Sequence, residues 1–155
     1  MTRWLTDDEQ RTWRRFGAVV TLLPAALESQ LQRDAGLTHF GYWVLAMLSE
    51  APSRSLRMSE LALLAHGSQS RLSHLITRLE ERGWVRRARV GEDGRGYVAV
   101  LTDAGYDKVV ATAPGHVEKV RQLVFDRLTR EQVEALDAIC TAILGKIGTS
   151  EIKPC

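Results

Sequence analysis

A mainly α chain with one small β-wing, an α+β fold, is predicted from three features of these 155 residues. Apolar residues recur at three- and four-residue spacing through most of the chain, the period of amphipathic helices. Thr6, Thr38, Ser68, Thr102 and Thr129 each stand just before such a run, where a side-chain oxygen can cap a helix. Only from Trp84 to Leu101 does the pattern change, to two short β-prone runs about the glycine-rich GEDGRG, which reads as a hairpin.

The elements follow in order. Thr6-Asp7-Asp8-Glu9 is a capping box opening a helix that carries Trp13, Phe16, Val20, Leu23, Leu27 and Leu31 at near-heptad spacing. Pro24 lies inside this run and is expected to kink or split it. Asp34 to Gly36 end it. Thr38 caps a helix whose apolar face is Phe40, Val44, Leu45 and Leu48. Ala51-Pro52-Ser53 makes a turn, and Leu56-Arg57-Met58 is a candidate strand beside the wing. SELALLA is a short helix with Leu61, Leu64 and Ala65 on one face, ended by Gly67. Ser68 caps the next helix, where Leu72, Leu75, Ile76 and Leu79 form a core-facing stripe.

Beyond the hairpin, Thr102 caps a helix bearing Val109, Val110, Ala113, Val117, Val120 and Val124, with Pro114 expected to bend or interrupt it. Thr129 with Gln132 is a second capping box. It opens a last helix with Val133, Leu136, Cys140, Ile143 and Ile147 in heptad register, widened by Ile139 and Leu144. These terminal stripes exceed what a small domain can cover, so a two-fold homodimer is expected.

Helix, turn, helix and hairpin in this order make a winged helix–turn–helix. SELA, the run SRLSHLITRLEERGWVRR and DGRGYVAVLTDAG together resemble the MarR family of bacterial transcriptional regulators over nearly the whole chain. The most specific part is Asp93-Gly94-Arg95-Gly96 followed by Leu-Thr-x-x-Gly at 101–105. The resemblance implies a single domain, 1–155, in which dimerisation helices at about 1–36 and 103–150 interlock. They hold apart two DNA-binding units, each at about 38–101. The recognition helices of such a dimer meet successive major grooves, so a near-palindromic operator in duplex DNA is the expected partner.

Charge agrees with a nucleic-acid partner. Residues 54–95 hold nine Arg, no Lys and five acids, a balance of +4, while the rest holds twelve bases and fourteen acids. The outward side of the helix after Ser68 has no acid before Glu80. Arg71 and Arg78 are the expected guanine or phosphate contacts, with Ser68, Gln69, Ser70, Ser73 and His74 reaching bases or backbone. Arg95, between two glycines at the hairpin tip, is the expected wing contact, and Arg57, Arg86, Arg87 and Arg89 are further phosphate candidates. A winged module that binds protein and not DNA is the rival reading.

The resemblance also implies an effector pocket where the dimer helices meet the winged unit, suited to a small lipophilic or phenolic molecule. Trp13, Phe16, His39, Tyr42 and Trp43, with Met47, are its candidates. His39 and Tyr42 stand out as polar groups on an apolar helix. A thiol-responsive regulator finds weak support. Cys140 falls on the last apolar stripe and is expected to be buried, Cys155 ends the chain, and no cysteine lies near the start of the first helix. His39, His66, His74 and His116 are scattered without metal-ligand spacing, so no metal or cofactor is expected. No P-loop, Gly-x-Ser-x-Gly, His-Glu-x-x-His or dinucleotide fingerprint is present, and no enzyme activity is expected. The charged start MTRWLTDDEQ and the lack of a long apolar run predict a cytoplasmic protein with no membrane association.

Overall fold

The computed structural model describes residues 1–91 and 96–147. Six helices and three short strands follow in the order α1 (Asp7–Ala35), α2 (His39–Glu50), β1 (Ser55–Arg57), α3 (Met58–Leu64), α4 (Gln69–Glu81), β2 (Val85–Val90), β3 (Gly96–Leu101), α5 (Asp103–Leu123) and α6 (Arg130–Ile147). Single 3₁₀ turns precede β1 and follow α5.

The expected caps are made. Thr6 and Glu9 form the reciprocal capping box, Thr38 accepts from the Gly41 N–H, Ser68 from Arg71 and Thr102 from Gly105. Thr129 and Gln132 exchange the same pair of bonds, at 2.9 and 3.3 Å. Neither proline interrupts its helix. α1 runs through Pro24 as one 29-residue helix, and α5 runs through Pro114. Each proline forfeits one backbone bond, while the neighbouring turns keep theirs and the helix ends are well capped. α5 stops at Leu123, so Val124 is not part of its stripe.

Gly67 helps close the end of α3, its N–H donating to the Ala62 carbonyl at 3.1 Å, and it has a second role. The positive φ after α3 falls on His66, at 52°, and not on the glycine. A Cβ on Gly67 would lie 2.8 Å from the Phe40 ring, so the glycine is what lets α2 pack close beneath the turn.

The strands form one antiparallel sheet in the order β1-β3-β2, with Arg57 opposite Val98 and Val85 opposite Leu101. The core lies between α2, α3, α4 and the sheet. Val44, Leu45, Leu48, Leu61, Leu72 and Ile76 are sealed from solvent there, and Leu31 of α1 closes one end. The whole predicted stripe of α4 is buried.

The terminal helices are different. No described residue of α6 is buried, Cys140 included, so its expected burial is not met within one chain. Residues 1–16 are exposed throughout. Trp13, Val20, Val110, Val117, Ile139 and Ile147 each leave half or more of their surface open. No helix among the described residues is long and apolar enough to cross a membrane.

Candidate nucleic-acid interface

α4 is held by its buried stripe, which leaves Gln69, Ser70, Arg71, Ser73, His74, Thr77 and Arg78 exposed as the sequence predicted. Its first turn bears no acid, and its unpaired N–H groups are met by one cap, the Ser68 hydroxyl at 3.1 Å from the Arg71 nitrogen. A helix start of this kind favours an anion by its dipole and free N–H groups. The Ser68 oxygen therefore already serves the helix.

The exposed residues divide between two sides. On one side, Ser73 and Thr77 face β2, where Arg87 reaches across to them and to Glu80. A groove of about 660 Å³ lies here, between helix and wing, lined by Arg57, Gln69, Ser73, Thr77, Arg87 and Tyr97. Tyr97 carries the Arg89 guanidinium 5.6 Å above its ring. On the other side, Arg71 lies 4.1 Å over the Phe40 ring, and both Arg71 and Arg78 line a cavity of about 500 Å³. Arg86 is exposed, whereas Arg87 is committed to the helix. Arg95 and Asp93 lie outside the described residues.

That second cavity adjoins the joint between α1, α2 and α4, where Pro24, His39, Phe40 and Trp43 also line it. The proposed effector residues are thus divided. His39 and Trp43 meet there, with ring centroids 6.1 Å apart. Tyr42 is buried on the far side of α2 against His116, 4.5 Å between centroids. Trp13 and Phe16 pack on each other, 6.2 Å apart and exposed, and do not line the cavity.

Sequence reasoning missed the polar pair behind Tyr42. Gln30 of α1 and His116 of α5 are buried together, with Gln30 Oε1 3.1 Å from His116 Nδ1. The available signal was Gln30's place beside Leu27 and Leu31 on an otherwise apolar stripe. His39 is 5.9 Å from His116, and burial holds both imidazoles below the usual histidine range, with His39 lowering His116 further. Burial likewise raises the Tyr42 phenol. The His39 backbone N–H donates to the Glu28 carboxylate at 2.5 Å, tying the start of α2 to α1. Among the described residues no group of three or more His, Cys, Asp or Glu could hold a metal ion.

A capped helix with no acid before Glu80, beside a three-stranded wing and carried on long terminal helices, defines a winged helix–turn–helix protein. The sequence model of the MarR family matches residues 36–96. The chain is 50% identical to Sco3205, a MarR family transcriptional regulator from Streptomyces coelicolor solved in complex with DNA. That match covers 97% of this chain and 94% of the other, with a TM-score of 0.93. It is 43% identical to AbsC, a MarR family transcriptional regulator from the same organism, over 94% of this chain and 98% of the other, with a TM-score of 0.89. It is also 22% identical over 123 residues to the transcriptional repressor MprA of Escherichia coli K12, covering 79% of this chain and 69% of MprA. The chain belongs to the MarR family. That membership makes it a transcriptional regulator and not an enzyme.

Proposed function

We propose that this chain binds duplex DNA in a sequence-specific way and represses transcription as a cytoplasmic homodimer on a near-palindromic operator. The observation that carries the reading is the match, at 50% identity over nearly the whole chain, to a family member crystallised with DNA. The outer side of α4, free of acids before Glu80, supports it, and so does the +4 balance of residues 54–95.

In this reading about 38–101 is the DNA-binding unit. α4 enters the major groove by its N-terminal half, with Gln69, Ser70, Arg71 and His74 nearest the bases and Arg78 on a phosphate. Ser68 adds its backbone neighbourhood at the helix start, and Ser73 acts from beside the wing. Arg95 at the wing tip takes the minor groove. The helices at about 1–36 and 103–150 pair with a second copy, which the exposed apolar faces of α1, α5 and α6 support.

A small lipophilic or phenolic effector relieves repression by favouring a spacing of the two recognition helices that no longer fits successive grooves. The cavity at His39 and Trp43 supports this, because it touches α1, α2 and α4 at once.

Gel shifts on the chain's own upstream region, repeated at several salt concentrations, test the reading. Binding should weaken steeply as salt rises, because each phosphate contact releases a counterion. Absence of binding to any upstream or selected duplex would favour the protein-interaction module.

A further inference from the structure

Arg87 was grouped with the phosphate contacts on sequence grounds, and its surroundings point elsewhere. It leaves β2 toward α4 and meets Ser73, Thr77 and Glu80, which stand at i, i+4 and i+7 along one line of the helix. Nη1 donates to the Glu80 carboxylate and, at 3.2 Å, to the Thr77 hydroxyl. Nη2 donates to the Ser73 carbonyl at 2.8 Å, the Ser73 hydroxyl at 3.1 Å and the Thr77 hydroxyl at 3.2 Å. The two terminal nitrogens carry four N–H groups, and five acceptor contacts already surround them. The other oxygen of Glu80 accepts the Arg87 backbone N–H at 3.2 Å. Arg87 and Glu80 side chains are 24% and 33% exposed, so this charge-assisted pair is partly shielded from solvent.

We propose that Arg87 is a positioning residue that locks the wing to α4, so that helix and wing meet DNA as one rigid body. The inference rests on the DNA-binding reading only for its consequence. The lock itself is a property of the free protein. It assigns the line Ser73, Thr77 and Glu80 to holding the wing, and it gives Glu80 a purpose on a helix that carries no acid before it.

Glu80 makes the test decisive, because the two roles give opposite signs. If Arg87 grips a phosphate, Glu80→Ala frees the guanidinium and removes a negative charge from the DNA-facing unit, so binding tightens. If Arg87 is a lock, Glu80→Ala loosens the wing and binding weakens despite the gained positive charge.

Anisotropy titrations on a duplex bound by the wild type should show Glu80→Ala and Arg87→Met each weakened about tenfold. The double variant should be no worse than either single one, as for a coupled pair. Arg87→Met should leave the salt slope unchanged, where loss of a phosphate contact would lower it by about one. Hydrogen exchange on the free proteins should show faster exchange in β2 and β3 for both variants. If Glu80→Ala does not fold, Glu80→Gln keeps the volume and removes the charge, and the same signs apply.

Tighter or unchanged binding by the Glu80 variant, or a slope reduced by one in Arg87→Met, would overturn the lock. Should the wild type bind no duplex, the DNA-binding reading falls. The exchange measurement then decides the lock alone, and unaltered exchange would overturn it.

Discussion

Replacing Gly105 with alanine strikes the seam where the wing hands the chain to α5. A Cβ built on Gly105 would stand 2.0 Å from the Trp84 carbonyl oxygen, 2.7 Å from Leu101 Cδ1 and 2.9 Å from the Trp84 carbonyl carbon. Two of these three atoms are backbone, and the oxygen is pinned, since it accepts the Thr102 N–H at 3.0 Å. Thr102 is pinned in turn, donating its hydroxyl to the Gly83 carbonyl at 2.7 Å while accepting the Gly105 N–H at 3.0 Å. Relief requires α5 to back away by about 1 Å, which overpacking studies put at about 1–3 kcal/mol. A strained hydrogen bond adds about 1 kcal/mol. Alanine returns about 1 kcal/mol of helix propensity, leaving a net loss of about 2 kcal/mol. For a chain of this size that lowers Tm by about 4–8 °C.

Thermal unfolding followed by circular dichroism reads the shift, at one fixed protein concentration because self-association moves Tm by mass action. Gly115→Ala in the same helix is the contrast. Its Cβ would meet nothing closer than Gln30 Nε2 at 3.8 Å, so stability should rise by about 0.5–1 kcal/mol. A Gly105→Ala protein melting at or above the wild type would refute the reasoning.

Three further outcomes are expected. Ile143→Asp puts a charge on the exposed apolar face of α6, and sedimentation at micromolar concentration should show a dimeric wild type and a dissociated or unfolded variant. A monomeric wild type would remove the basis for a two-fold operator. Arg78→Ala and Arg71→Ala should each weaken operator binding, by about 1–3 kcal/mol for a base-reading arginine. Arg71→Ala should also cost about 0.5–1 kcal/mol of stability through its lost contact with Phe40, and unchanged affinity in both would mean α4 is not the reading helix. Burial lowers the His39 and His116 pKa values in the folded chain, so the unfolded chain takes up protons first on acidification. Stability should therefore be full above the ordinary histidine value of 6.5 and fall as pH drops below it. His116→Gln should flatten that fall in pH-dependent melting curves, and an identical fall in the variant would discard the histidine origin.

The fold was legible wherever the signal is local. Capping residues act within three positions, so Thr6, Thr38, Ser68, Thr102 and Thr129 fixed five helix starts directly. The stripe Leu72, Leu75, Ile76, Leu79 gave α4 both its extent and its buried side. Proline misled only as to a break, because its cost is also local, and a helix held by long packing faces outlasts one lost bond. Gly67 and Gly105 were visible as glycines, but the reason for each lies in a distant partner, the Phe40 ring and the Trp84 carbonyl.

Long-range partners limited the reading of the site in the same way. Periodicity tells which residues of α4 face away from the core, and it cannot divide that surface between wing, cavity and solvent. Ser73 and Thr77 satisfied the pattern of base-reading residues, being small, hydrogen-bonding and outward. What separates them from Gln69 and His74 is Arg87, fourteen and ten positions later, brought over them by the turn at Gly83 and the pairing of β2 with β3. The aromatic candidates divide for a similar reason. Successive turns of α2 carry His39 and Trp43 to one cavity, while Tyr42 turns to the α5 side and meets His116. The chemistry of each side chain was readable in the sequence, and the element standing opposite it decided the use.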